Sequence, residues 1–327
     1  MWVRKYEEDA RKNWDVFYKN NADRFFKDRH YLRREFPDLG PAPAYVIPDR
    51  AAAAGAAPGR VFLEVGCGAG NTTFPLLAAD PTAIVYCCDF SQRAVDLVRK
   101  RAERLPPEQR ARVIPFVCDA TRDALTDRVP AGGVDVVRAS SAATPSTCTI
   151  LDRAFCTLIF VLSAVSPGRA MSDVVRNVSS VMRGEVLLVR DYAAGDLAQA
   201  RFAVKEGQRL GDNFYVRGDG TRAYYFTPAA LKGIFRRHGM PLERLDVHER
   251  SITNRSRELT MDRRWVQASF ASATTPGAPL PPPPPPPEPA WMARKRLIAE
   301  KAERAKKAEE EDAAAAGEDE TSTDAAS

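Results

Sequence analysis

The residues best placed to do chemistry are three glycines and two aspartates. Gly66, Gly68 and Gly70 follow the apolar residues Val61, Phe62, Leu63 and Val65 in the string VFLEVGCGAGN. The apolar run predicts a buried strand. Glycine lets the backbone turn sharply and approach a ligand with no side chain in between. Asn71 to Ala79 reads as the start of a helix, so strand, glycine turn and helix form the opening of a nucleotide-binding α/β unit. The spacing is GxGxG, which fits a dinucleotide site less well than GxGxxG would. A second apolar run, Ala83 to Cys88, ends in Asp89, 23 residues after Gly66. A carboxylate there can accept from two ribose hydroxyls. Its bland alternative is a cap for the helix Ser91 to Arg101, but Ser91 is itself a good cap and leaves Asp89 for the ribose. A third strand, Arg112 to Cys118, ends in Asp119, which either reaches an adenine amino group or lies on a surface loop.

A second constellation precedes the glycines. The block from Lys12 to Leu39, KNWDVFYKNNADRFFKDRHYLRREFPDL, interleaves Trp14, Phe17, Tyr18, Phe25, Phe26, Tyr31 and Phe36 with Lys19, Arg24, Lys27, Arg29, Arg33 and Arg34. Trp14, Phe17 and Tyr18 share one helical face. Such a block either packs on the core as an amphipathic helix or offers RNA rings for its bases and cations for its phosphates. Charge does not decide between these. Residues 1–290 carry 41 basic and 33 acidic side chains, a net of +8, and residues 291–327 a net of −3. A basic body suits a polyanion, but it also serves ordinary solubility.

Composition narrows the class. No apolar run approaches the ~20 residues of a membrane span, and the charged first 36 residues lack the apolar core of a signal peptide. The six cysteines, Cys67, Cys87, Cys88, Cys118, Cys148 and Cys156, form no CxxC pair. They are expected as reduced thiols in a cytosolic compartment. His30, His238 and His248 are far apart in sequence, so no metal site is expected.

Glu64 before GxGxG looks like the first motif of S-adenosylmethionine-dependent methyltransferases. The block around FFKDRH resembles the tRNA 3-methylcytidine methyltransferases. The resemblance continues through GCGAGNTTFPLL (Gly66 to Leu77), CDFSQRAVDLV (Cys88 to Val98), TLIFVLSAVSP (Thr157 to Pro167), VRDYA (Val189 to Ala193), NFYVRGDGTRAYYFT (Asn213 to Thr227) and NRSRELTMDRRWVQ (Asn254 to Gln267). It covers roughly residues 5 to 270. The REFPDL ending and the NR…LTM…RWVQ close look most like the branch acting on cytosolic threonine tRNA.

The resemblance implies an α/β, class I (Rossmann-like) fold: a mostly parallel seven-stranded sheet with helices on both faces, plus a helical N-terminal extension. It implies methyl transfer from S-adenosylmethionine to N3 of cytidine 32 in the tRNA anticodon loop, with serine or arginine tRNA as other substrates. The cofactor contacts it carries over are Trp14, Tyr18, Gly66, Gly68, Asp89, Asp119, Ala120 and Ile159. Core packing is an equal alternative for Trp14 and Tyr18. Asp191 and Tyr192, after the strand Val186 to Val189, are the candidates for the cytosine. Arg190 beside them reads as a phosphate anchor or as half of a structural Arg–Asp pair. Lys27, Arg29 and His30 are candidate phosphate contacts. Arg217 and Arg222 lie in a hairpin turning at Asp219-Gly220, which either grips RNA or is a scaffold edge. Partners implied are the tRNA anticodon arm and, in some relatives, an aminoacyl-tRNA synthetase or adaptor protein. The expected location is cytoplasmic with a nuclear pool. Two other readings compete: a catalytically weak RNA- or protein-binding module, and a methyltransferase of a small molecule or protein side chain. The aromatic and cationic extension argues against the latter.

These residues need an ordered frame. The expected organisation is a helical extension over 1–50, a linker over 51–59 within the Pro/Ala/Gly-rich stretch Pro37 to Gly59, and a methyltransferase domain over 60–270. A proline-rich linker follows over 271–290, with seven prolines from Pro281 to Pro287, then a charged disordered tail over 291–327. One departure stands out. The family pattern runs from Val134–Val137 straight into Thr157, but here nineteen residues, Arg138 to Cys156, intervene. They are expected to split a central strand.

Overall fold

The computed structural model describes residues 2–39, 60–80, 83–129, 155–182, 186–254 and 259–272. Its first strand, β1 (Val61–Val65), is buried along its whole length. It pairs in parallel with β2 (Ile84–Asp89) on one side and β4 (Phe155–Ile159) on the other. β3 (Val113–Val117) lies outside β2, and β5 (Val186–Tyr192) outside β4, both parallel. Two long antiparallel strands, β9 (Leu242–Asn254) and β10 (Leu259–Ala271), complete the order β3-β2-β1-β4-β5-β10-β9. The chain order reverses at β1, between the β2–β3 wing and the β4–β5 wing, which creates a crevice at the carboxyl ends of the strands.

The sheet is buried on both faces. Side chains alternate across a strand, so Leu63 and Val65 join Leu158, Leu187 and Val189 in one core. Phe62, Val85, Ile159, Val186 and Leu188 join the other. Helix α7 (Arg169–Val181) covers the first face with Met171, Val174, Val175 and Val178, spaced for one helical stripe. The second face takes α4 (Thr73–Ala79) and α5 (Gln92–Ala102), and a single turn, α6 (Pro107–Arg110), leads on to β3. α8 (Leu197–Ala203), a small antiparallel sheet β6 (Arg209–Gly211), β7 (Phe214–Val216) and β8 (Arg222–Tyr224), and α9 (Pro228–Arg236) lie between β5 and β9.

The N-terminal extension is helical as expected: α1 (Trp2–Glu8), α2 (Ala10–Asn21) and the single turn α3 (Leu32–Glu35). It is not a separate body. Leu32, Phe36 and Leu39 are buried in the second core beside Leu76 and Leu77.

Two boundaries change. β4 is continuous over Phe155–Ile159 and pairs with both neighbours, so Phe155 and Cys156 are strand residues rather than insert. The described strand is continuous, and the end of the intervening segment supplies its first two positions, both buried; the expected break after Val137 lies outside the described residues. Residues 134–154 lie outside the described residues. At the other end, β10 runs to Ala271, opposite Val186, and Ser272 is buried, so the domain extends past 270. The proline run and the tail lie outside the described residues.

Candidate active site

The glycine turn is tied to β2 by two backbone bonds: the N–H groups of Gly66 and Cys67 both donate to the Cys88 carbonyl, at 2.7 and 2.8 Å. Gly66 and Gly68 have φ of +74° and +55°, a region that favours glycine. A Cβ at Gly66 would stand 2.5 Å from Val161, and one at Gly68 would stand 2.6 Å from the Tyr18 hydroxyl. The turn thus leaves room for a ligand only because both positions lack a side chain.

A cavity of about 290 Å³ opens on this turn. Asp89 lines it from the end of β2, Asp119 and Ala120 from the end of β3, and Trp14 and Tyr18 from α2. Asp89 is 7% exposed; its Oδ2 accepts from the Gly68 N–H and its Oδ1 from the Ser91 N–H, each at 2.9 Å. Each oxygen keeps a second lone pair for a ribose hydroxyl. Burial pushes the Asp89 carboxyl up to about 6, against the pull of its backbone donors. Ser91 caps α5 through its own hydroxyl, which accepts from Ala94 at 3.2 Å, as the sequence led one to expect. Asp119 Oδ1 accepts from the N–H and hydroxyl of Thr121, which fixes the loop after β3.

Trp14 and Tyr18 satisfy both of their alternatives at once. They line the cavity, and they also pack with Phe17, Ala69, Ala94 and Leu97. Sequence reasoning missed Glu7 and Arg11 on the same wall. Positions 7, 11, 14 and 18 are a single helical stripe, so the signal was present. It also missed Phe160. Ile159 ends β4 and is 2% exposed, and it borders only a smaller, adjoining lobe. Phe160 follows at φ +60° and lines both spaces.

The smaller lobe shares Trp14, Tyr18, Gly66, Phe160 and Ala164 with the main cavity, and adds Phe26, Arg29, Tyr192 and Arg217. Rings and cations interleave here. Arg29 lies 5.5 Å over Phe160, the Tyr192 ring is 5.0 Å from Phe160, and Arg217 lies 5.4 Å over Tyr192. The cleft therefore has two adjoining lobes that share these five residues: a larger one with Asp89 and Asp119 at the strand ends beside Arg11 and Arg222, and a smaller, aromatic and cationic one.

Other sequence-predicted residues go elsewhere. Arg190, Asp191 and Tyr192 do not follow a strand; β5 runs through them, so alternation sends Asp191 to the face opposite its two neighbours. Asp191 is fully buried and absent from the linings of both lobes. Its Oδ2 accepts from the Ser163 N–H and its Oδ1 from the Tyr192 N–H, each at 2.9 Å, and burial pushes its carboxyl up to about 6. It positions the turn Leu162–Ala164 instead of facing a base. Arg190 is not a phosphate anchor. It is buried, ion-paired with Glu35, and flanked by the rings of Tyr31 and Trp265 at 5.2 and 5.3 Å.

Arg222 is likewise buried, paired with Glu7 and donating to the Ala164 carbonyl at 3.0 Å, so it fastens α1 over the cavity. Arg29 donates to Thr72 at 2.9 Å and faces the smaller lobe rather than open solvent. His30 lines a different groove. Lys27 and His30 are exposed, with no ion-pair partner among the described residues. The hairpin β7–β8 forms as expected, with Gly220 at φ +79°. The Gly220 carbonyl accepts from Asn13 at 2.9 Å, which joins the hairpin to α2.

Among the described residues no cluster of three metal-ligating side chains occurs, and no helix is long and apolar enough to cross a membrane. The five described cysteines are buried, with no disulfide among the described residues.

The sheet order, the glycine turn and the aspartates at the strand ends are those of a class I S-adenosylmethionine-dependent methyltransferase. Residues 63–144 match the family model described as a methyltransferase domain. A solved S-adenosylmethionine-dependent methyltransferase from Anabaena variabilis has a similar fold, with a TM-score of 0.50 at 12% identity, over 80% of this chain and 95% of that one. The particular family follows from closer relatives: the chain belongs to the tRNA N(3)-cytidine methyltransferases. It is 40% identical over 276 residues to METTL6 of Rattus norvegicus, covering 84% of both chains. It is 40% identical over 269 residues to Mettl2 of Drosophila melanogaster, covering 81% of this chain and 72% of the relative. It is 36% identical to trm141 of Schizosaccharomyces pombe, covering 82% and 94%.

Proposed function

We propose that this enzyme methylates N3 of cytidine 32 in the anticodon loop of tRNA, with threonine tRNA as the favoured substrate. The observation that carries the reading is the two-lobed cleft, in which a lobe with Asp89 and Asp119 at the strand ends adjoins a smaller lobe of rings and cations. The tRNA and the N3 position come from the names of the relatives. The anticodon-loop position and the threonine preference come from the resemblance of the FFKDRH, REFPDL and RWVQ strings. Relatives named METTL6 and Mettl2 match at the same 40% identity, so identity does not rank substrates. Five buried cysteines outside any disulfide accord with a cytoplasmic setting, with a nuclear pool as a second location. A synthetase or adaptor partner belongs to the same proposal.

The chemistry asks little of acid–base groups. N3 of cytosine is an unprotonated lone pair at neutral pH, so catalysis is alignment and exclusion of water. S-adenosylmethionine, when bound, supplies an electrophilic methyl group. Asp89 would hold its ribose and Asp119 with Ala120 its adenine end, while Gly66 and Gly68 give the backbone close approach. Phe160 and Tyr18 stand where the two lobes meet. Asp191 acts through its neighbours, by holding Ser163 and Tyr192 in place.

The test is nucleoside mass spectrometry on threonine, serine and arginine tRNA transcripts incubated with enzyme and cofactor, each beside a version with uridine at position 32. The expected result is 3-methylcytidine that disappears with the uridine change and is most abundant on threonine tRNA. Product on the uridine-32 transcripts would overturn the position, and a different ranking would overturn the preference.

A further inference from the structure

A groove of about 340 Å³ lies between α4 and α5 and shares no lining residue with either lobe of the cleft. Its floor is apolar: Phe74, Pro75, Leu77 and Ala78 of α4, with Leu105 after α5. Its rim is polar, made by His30, Arg104 and Gln109. Arg101 forms one wall. It lies 4.2 Å over the Phe74 ring, pairs with both oxygens of Asp28, and donates to the Ala69 carbonyl of the glycine turn at 2.9 Å. Arg101 is thus neutralised, but Arg104 is exposed and has no partner among the described residues. The run Arg99 to Arg104, RKRAER, gives this end of α5 four basic residues against one acidic.

One loop separates the groove from the cleft and lines both through three successive residues. Asp28 and His30 line the groove, while Arg29 between them lines the smaller lobe. A strand of RNA that delivers a base to Arg29 and Phe160 must pass this loop. A neighbouring nucleotide then meets a flat apolar floor, an imidazole and a free guanidinium, which are the groups that take a base face and a phosphate.

Resting on the tRNA reading above, we propose that this groove is a second RNA subsite. It takes a nucleotide flanking the methylated cytidine, with its base over Leu105 and Ala78 beside the Arg101–Phe74 stack and its phosphate on Arg104.

The experiment compares Arg104→Glu, Ala78→Trp and Lys100→Glu in the full chain. Lys100 is exposed on the same helix but does not line the groove, so it reports general charge. Binding of labelled anticodon-arm RNA is measured by fluorescence at several salt concentrations, separately from turnover and from cofactor affinity. Arg104→Glu is expected to weaken RNA binding by about five- to tenfold and to lower the salt slope by about one unit. Lys100→Glu should have less than half that effect. Ala78→Trp, which fills the floor, should weaken binding with little change in salt slope. Cofactor affinity and melting temperature should stay near wild type in all three. RNA affinity and slope unchanged in both groove variants would overturn the proposal and leave the groove to residues 40–59 of this chain or to a protein partner. Equal losses in Arg104→Glu and Lys100→Glu would overturn it too. Because binding is read apart from turnover, a wild-type enzyme that forms no 3-methylcytidine yet shows these differences would instead refute the activity.

Discussion

The Arg190–Glu35 pair joins the N-terminal extension to the centre of the sheet, and its removal has a calculable effect. The two side chains are 5% and 18% exposed. Burial holds the Arg190 guanidinium below its ordinary pKa, against the pull of Glu35. Gln267 braces both partners: its Oε1 accepts from Arg190 and its Nε2 donates to the Glu35 carbonyl at 2.7 Å. Removing one member of a buried pair leaves an uncompensated charge, which destabilises by about 3–5 kcal/mol. Glu35 is partly open to water, so Glu35→Gln belongs at the lower end, about 3 kcal/mol. For a domain of this size that lowers the melting temperature by roughly 6–12 °C. Glu35→Leu with Arg190→Met removes both charges and should return to within about 1 kcal/mol of wild type, because apolar replacements remove the desolvation penalty along with the attraction. The assay is a double-mutant cycle in urea denaturation followed by circular dichroism. A phosphate contact behaves differently: Arg190→Met alone would leave stability unchanged and only flatten the salt dependence of tRNA binding. Single variants as stable as wild type would refute the structural account of Arg190.

Three further outcomes follow from the site. Asp89→Asn should weaken cofactor binding by about 1.5–3 kcal/mol in a calorimetric titration. The carboxyl titrates near pH 6 in the fold, so wild-type affinity should fall as pH drops from 7 to 5, while that of the variant stays flat. The raised value also has a stability sign: the charged form is disfavoured in the fold, so this group's destabilising contribution fades as pH falls through 6 towards the ordinary carboxylate range. Gly68→Ala should reduce cofactor affinity at least tenfold, since its Cβ would meet the Tyr18 hydroxyl at 2.6 Å on a backbone at φ +55°; Gly68→Ala with Tyr18→Phe, which lacks that hydroxyl, should recover part of the loss. Truncation after Ser272 should leave tRNA methylation and melting temperature near those of the full chain, and a loss of turnover at unchanged melting temperature would show that the tail takes part.

The main axis of the site was legible because each of its signals is local. A strand that ends in GxGxG has one way to turn, and an acid at the end of the next strand has one crevice to face. Spacing therefore brought Gly66, Gly68 and Asp89 to the cleft, while Asp119 needed the resemblance beside it. The stripe of Trp14 and Tyr18 was also legible as a helix face. Whether that face packs or lines a cavity was not, because a face one helix turn wide does both here. The mostly parallel, seven-stranded sheet followed from the family resemblance, though its strand order did not, and the start of β4 was misjudged because the pattern stopped at Thr157. Ala154, Phe155 and Cys156 suit a buried strand as well as the apolar residues the family would place there.

The arginines were the part that sequence could not settle, and the reason is physical. A guanidinium reads the same in a string whether it reaches a phosphate or a carboxylate, since both are met by the same planar fork of donors. What separates the two is the position of acids distant in sequence. Glu35 lies 155 positions from Arg190, and Glu7 lies 215 from Arg222. Both acids sit in the extension, and both arginines sit on the catalytic domain. The extension thus contributes more than aromatic and basic surface for RNA. Its acids neutralise cations beneath it, which leaves Arg29 and Arg217 to carry the charge of the smaller lobe. That division gives the extension a direct part in shaping the cleft. A variant that detaches it should lose cofactor affinity and tRNA affinity together, whereas one that only removes an RNA contact should lose the second alone.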